Sequence, residues 1–139
     1  MPALAAVLSA GASAQDVQTL HGACQSESRI SGAANAPFSC DGAVIEFFDN
    51  NNSHLMVQFG MKSSPHADLL GFAGIMRPDG QVLDVDHLYF TPGKAQSATG
   101  STCRFSFSPP RMTAIACNGT ATENNQPKTA VVHFAVKDG

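Results

Sequence analysis

From Gly42 onward, apolar and polar residues alternate with a period of two rather than 3.6. Clusters of turn-forming residues break the alternation about every eight to twelve positions, which predicts an all-β chain: a single antiparallel β-barrel or sandwich of about seven strands. The first hairpin is predicted over 43–48 and 54–59. Ile45 and Phe47 share one face of its first strand, and Leu55, Val57 and Phe59 share one face of its second, so pairing makes a single apolar side. Between them, 49–53 is rich in Asn, which tolerates positive φ.

The second hairpin is predicted over 69–76 and 82–90. Arg77-Pro78-Asp79-Gly80-Gln81 suits a three-residue turn with a bulge, Gly80 taking the left-handed position. That turn sets Ile75 opposite Leu83, Ala73 opposite Val85, Gly71 opposite His87 and Leu69 opposite Tyr89. His87 then points to the apolar face, while Asp84 and Asp86 alternate outward with Val82 and Leu88. In the third hairpin Cys103, Phe105 and Phe107 alternate with Thr102, Arg104, Ser106 and Ser108 before Pro109-Pro110 turns the chain. Pairing Cys103 with Cys117 sets Phe105 opposite Ile115 and Phe107 opposite Thr113. A last strand over 129–137 turns Ala130, Val132, Phe134 and Val136 inward, with Val131, His133 and Lys137 outward. Residues 15–41 and 91–100 are expected as loops or irregular strands.

The chain has 139 residues, 43% of them hydrophobic, which suits one folded domain. Eight Lys and Arg against eleven Asp and Glu, with no basic cluster, disfavour nucleic acid and acidic membrane surfaces as partners. With no Trp and a single Tyr, Tyr89, little flat aromatic surface is left for stacking sugars or unpaired bases.

Residues 1–14 carry no charge and finish on Ala12-Ser13-Ala14, a small-x-small triplet that resembles a signal-peptidase site. They are read as a signal-peptide remnant ahead of a single exported domain over 15–139, periplasmic or secreted. A run of about 20 apolar residues, as a membrane span requires, is missing. Four cysteines fit an oxidising compartment, and none is spaced CxxC. Three disulfide pairings are possible in principle, and local spacing favours Cys24–Cys40 and Cys103–Cys117, each closing a loop of about 15 residues.

The chain has no GxSxG, HExxH, GxxxxGK[ST] or GxGxxG, so acyl-transfer, zinc-protease, phosphate-loop and dinucleotide chemistry lack their opening motifs. Asp84-Val85-Asp86-His87 is the nearest approach to a constellation. On a regular strand its two carboxylates share one face and His87 the other, so they cannot converge without a bulge, and no His is expected within hydrogen-bond reach of a carboxylate in a cleft. His54 and His66 lie at loop edges, where either could join Met56 or Met61 in a weak cation site. No metal and no cofactor is expected. Asn51-Asn52-Ser53 and Asn118-Gly119-Thr120 match the glycosylation sequon, which carries meaning only in a eukaryotic secretory chain.

Phe38-Ser39-Cys40-Asp41-Gly42, followed by an alternating strand, an Asn-rich turn and a second strand, is similar to the opening of the periplasmic or membrane-attached inhibitors of C-type lysozyme, a small β-barrel family. Ser97-Ala98-Thr99-Gly100 resembles the Ser-Gly loop with which those inhibitors enter the lysozyme cleft. The resemblance covers about a third of the chain and implies lysozyme inhibition with Ser97 and Gly100 as site residues. Cys103 stands where the family has an aromatic residue, Trp is missing, and 65–90 would be an insertion.

The function expected is therefore that of an exported, non-enzymatic binding module. It would recognise another macromolecule through loops at 61–68 and 91–101, with Ser97, Gly100, His66 and His87 as candidate contacts. The alternative is a cup-shaped carrier of a small apolar ligand, its interior lined by Phe47, Phe59, Leu83, Tyr89 and Phe105 with His87 as polar group; the same residues equally describe a solid core. A small hydrolase is the further alternative. The oligomeric state is not written in the sequence.

Overall fold

A computed structural model describes residues 16–32, 35–48, 53–61, 69–91 and 93–137. Ten strands occur among them: β1 (Asp16–Cys24), β2 (Arg29–Ser31), β3 (Asn35–Pro37), β4 (Gly42–Phe47), β5 (His54–Gly60), β6 (Leu70–Met76), β7 (Val82–Thr91), β8 (Lys94–Ser108), β9 (Arg111–Glu123) and β10 (Gln126–Val136). The expected all-β class is correct. Strands β4 to β10 pair with their sequence neighbours, and β1 lies between β4 and β10, so eight strands of one antiparallel sheet close into a ring. The strands beyond the expected seven or so come from 16–41, where β1 to β3 form.

Strand β10 changes partner part-way along. Its residues Thr129 to Val131 pair with β2, and Phe134 to Val136 pair with β1. At the changeover His133 is served by the turn between β1 and β2: Gln25 N–H donates to the His133 carbonyl at 2.7 Å, and Ser28 Oγ accepts the His133 N–H at 2.9 Å.

The interior follows the alternation. Ala43, Ile45, Leu55, Val57 and Phe59 face inward from the first hairpin, the single apolar side expected, with Ile45 opposite Val57. Ala130, Val132 and Phe134 do the same from β10. The Phe59 ring lies 6.0 Å from that of Phe72 and 5.7 Å from that of Phe134, so aromatic side chains occupy the middle of the ring. Both expected disulfides form. Cys103–Cys117 joins directly opposed residues whose Cα atoms are 4.0 Å apart inside the core, and Cys24–Cys40 ties the end of β1 to the approach to β4.

The turn at 77–80 has the expected form. Gly80 N–H donates to the Arg77 carbonyl at 2.9 Å, Gly80 has φ +73°, and Asp79 Oδ1 accepts the Gln81 N–H at 2.8 Å. Beyond it the expected register fails. Ile75 stands opposite Asp84, Gly74 opposite Val85, Ala73 opposite His87 and Gly71 opposite Tyr89, with a register shift between Ala73 and Gly74. Leu70 and Phe72 face inward and Gly71 and Ala73 outward, because the interior takes the large side chains and leaves the small ones outside. Leu88 is therefore buried in the core, and His87 and Tyr89 lie outside it.

Two further expectations are corrected. A bulge between Ser106 and Phe107 sets Phe107 opposite Met112 rather than Thr113 and leaves it 44% exposed. Residues 94–100 are the first half of β8 rather than part of a loop. Residues 1–14, His66 and nearly all of the loop expected at 61–68 lie outside the described residues.

Candidate functional site

On the outer face of the sheet, two parallel rows of side chains cross β4 to β8. Glu46, Met56, Ala73, His87 and Ser97 stand opposite one another in turn; one step along the strands, Val44, Gln58, Gly71, Tyr89 and Ala95 do the same. Because β6 supplies only Gly71 and Ala73, and β8 only Ala95 and Ser97, larger neighbours stand up around a depression. The result is a groove of about 470 Å³. Phe48, His54 and Met56 form one wall, Ala73 lines the floor, and Asp86, His87, Tyr89 and Ala95 lie opposite. Phe48 and His54 hold their rings 5.9 Å apart and tilted by 59°. A Cβ on Gly71 would sit 3.2 Å from Tyr89 Cβ, 3.4 Å from Gln58 Cγ and 3.5 Å from Met56 Sδ, so these side chains close over the glycine.

The polar rim depends on a bulge. The β6–β7 register passes from Gly74–Val85 to Ala73–His87, which leaves Asp86 as the extra residue on β7. In a regular strand consecutive side chains would point to opposite faces; here Asp86 and His87 are both exposed and His87 Nδ1 lies 2.7 Å from Asp86 Oδ1. A ring N–H donates to the carboxylate at that separation, and in the neutral imidazole so oriented Nε2 is the acceptor. The expectation that no His meets a carboxylate in a cleft is thus overturned, and the bulge is the reason.

Asp84, exposed on the same face as Asp86 with Val85 turned into the core between them, accepts both Arg77 Nε at 2.9 Å and Arg77 Nη2 at 2.8 Å. Those hydrogen bonds hold its carboxyl below the ordinary value of 3.8.

Of the sequence-derived candidates, Ser97 stands directly opposite His87 and is exposed. Gly100 lies in a second irregularity of β8, between Ala98 and Thr102, with φ +62°. Ser97-Ala98-Thr99-Gly100 is thus bulged strand rather than a free loop, and Gly100 carries the positive φ that the bulge needs. His87 is brought to the groove, though not to the interior, and His54 joins it there.

Two groups on this face went unmarked in the sequence: the small outward pair of β6, and Glu46, buried with its Oε1 accepting Gln58 Nε2 at 3.1 Å. The large-small alternation Leu70-Gly71-Phe72-Ala73 was the legible signal for the groove.

A hydrolase at this site would further need Ser97 Oγ hydrogen-bonded to His87, and no such bond exists among the described residues. Among those residues, no three His, Cys, Asp or Glu side chains are grouped to hold a metal ion. Among the described residues no helix is long and apolar enough to cross a membrane. Two other hollows are present, about 510 Å³ beside Leu20, Met112 and Val136, and about 430 Å³ beneath β2 and β3. Neither combines aromatic walls with an adjoining His–carboxylate pair. Comparison with protein-family models, with curated proteins and with solved structures found no match to this chain.

Proposed function

We propose that this is an exported, non-enzymatic binding protein of the periplasm or extracellular space, which recognises another macromolecule through the outer face of β5 to β8. One observation carries this reading: small residues keep a groove open beside the Asp86–His87 pair on that face, whereas Phe59, Phe72 and Phe134 fill the ring. An apolar-ligand carrier would need the reverse arrangement, an open interior. The two disulfides suit an oxidising compartment. A groove on a stapled sheet loses little conformational freedom when it docks.

The resemblance to C-type lysozyme inhibitors names the first partner to assay, with Ser97 beside His87 and Gly100 at the neighbouring bulge as contacts. Inhibition of C-type lysozyme that is lost in Ser97→Asp and Gly100→Asp supports that assignment; no inhibition at molar excess ends it. The broader reading is tested by capture from periplasmic or extracellular fractions, with wild type and Ala73→Leu as baits. A protein retained by wild type and lost when leucine fills the floor supports groove recognition. Equal retention by both baits, or none by either, refutes it.

A further inference from the structure

We propose that the groove receives an arginine side chain presented by a protein partner. This rests on the reading of the groove as the recognition face and adds the chemistry of what enters it. The Asp86–His87 pair offers acceptors there. Asp86 keeps Oδ2 and spare lone pairs beyond its contact with His87 Nδ1, and in the neutral imidazole, with Nδ1 donating, the remaining ring nitrogen accepts.

A guanidinium carries five N–H donors and no acceptor, so it complements this set, whereas a carboxylate or phosphate would meet acceptors with acceptors. The charge agrees: Asp86 lines the groove and, among the described residues, neither Lys nor Arg does, in a chain of net charge −3. The walls agree too. Phe48, His54 and Tyr89 offer π-faces, against which a flat guanidinium stacks, and Met56 and Ala73 offer an apolar bed for its methylene stem. The groove lies on the outside of the sheet, where a side chain projecting from a larger surface can reach it.

Tyr89 is the chain's one tyrosine and there is no tryptophan, so intrinsic emission reports from the groove itself. The full chain is titrated with the peptide acetyl-Gly-Gly-Arg-Gly-Gly-amide and with two analogues bearing norleucine or glutamate in place of arginine. Tyr89 emission and the backbone amide shifts of Ala73, His87 and Ala95 are followed. The arginine peptide is expected to bind about threefold to tenfold more tightly than the norleucine peptide, the range of an exposed cation–π contact with a carboxylate beside it. Asp86→Asn should reduce that preference while the amide spectrum outside β7 stays unchanged.

If norleucine binds as well as arginine, or glutamate binds better, the arginine assignment is overturned, although groove recognition survives in the Ala73→Leu capture result. If no peptide perturbs Tyr89 or the three amides, the assignment falls as well, and loss of capture by Ala73→Leu then shows whether the groove binds by other chemistry.

Discussion

Ser28 Oγ accepts the backbone N–H of His133 at 2.9 Å across 105 residues of sequence, at the point where β10 leaves β2 for β1. The hydroxyl is buried and stands in for the carbonyl that a neighbouring strand would have supplied. Ser28→Ala leaves that N–H unsatisfied and is expected to lower unfolding free energy by about 1–3 kcal/mol. Urea denaturation measures it, and a loss within error would mean that water replaces the hydroxyl.

The two disulfides should separate under mild reduction. Cys103 and Cys117 are fully buried inside the ring, whereas Cys24 is half-buried at its edge. Native protein in dithiothreitol, trapped by alkylation and weighed, is expected to lose Cys24–Cys40 first. Replacing either pair with alanine should cost about 3 kcal/mol, as for a closed loop of about 15 residues.

Gly119 lies under Ser101, and a Cβ there would meet Ser101 Oγ at 2.8 Å and Leu88 Cδ1 at 3.1 Å. Ser101 cannot withdraw freely, because its Oγ accepts the Thr120 N–H and donates to the Thr99 carbonyl, both at 3.2 Å. Gly119→Ala is expected to destabilise by about 1–3 kcal/mol, as overpacking of a closed site does. A melting temperature equal to wild type would show that the β8 bulge yields.

Acid should weaken the second hairpin through Asp84. Its folded pKa is depressed by Arg77, so the pair's contribution is complete above the ordinary carboxyl value of 3.8 and is lost as pH falls through the lower folded value. Melting temperatures of wild type and Asp84→Asn should differ at neutral pH and converge in acid. Since both side chains are half exposed, at 50% and 54%, the gap should be small and should narrow in salt. A gap that persists unchanged in strong acid would mean that Asp84 acts other than as a charge.

Strand identity was legible wherever large apolar residues repeat at every second position, as in Ala43 to Phe47 and Ala130 to Phe134, and the cysteine spacings sufficed for both bridges. The second hairpin misled because Leu69, Ile75 and Val85 mark one parity while Leu70, Phe72 and Leu88 mark the other. Only interior volume and the bulge at Asp86 decide between them. A bulge shifts every side chain beyond it to the other face, so His87 and Tyr89 could not be placed by counting. The β9–β10 hairpin was missed, although Glu123-Asn124-Asn125-Gln126 carries its turn: both asparagines take positive φ, 53° and 62°, as a two-residue turn demands. The groove was the least legible feature, since what builds it is the smallness of Gly71, Ala73 and Ala95.

Ring closure also gives the chain an order of events. Hairpins from β4 to β10 can zip locally, but β1 has its second seat beside Phe134 to Val136, which follow all of those hairpins in the sequence. Termination ahead of Gln126 would leave β1 and β9 as raw edges, each able to recruit a stranger's backbone. Removal of β10 should therefore reveal itself as clumping rather than as a somewhat softer monomer.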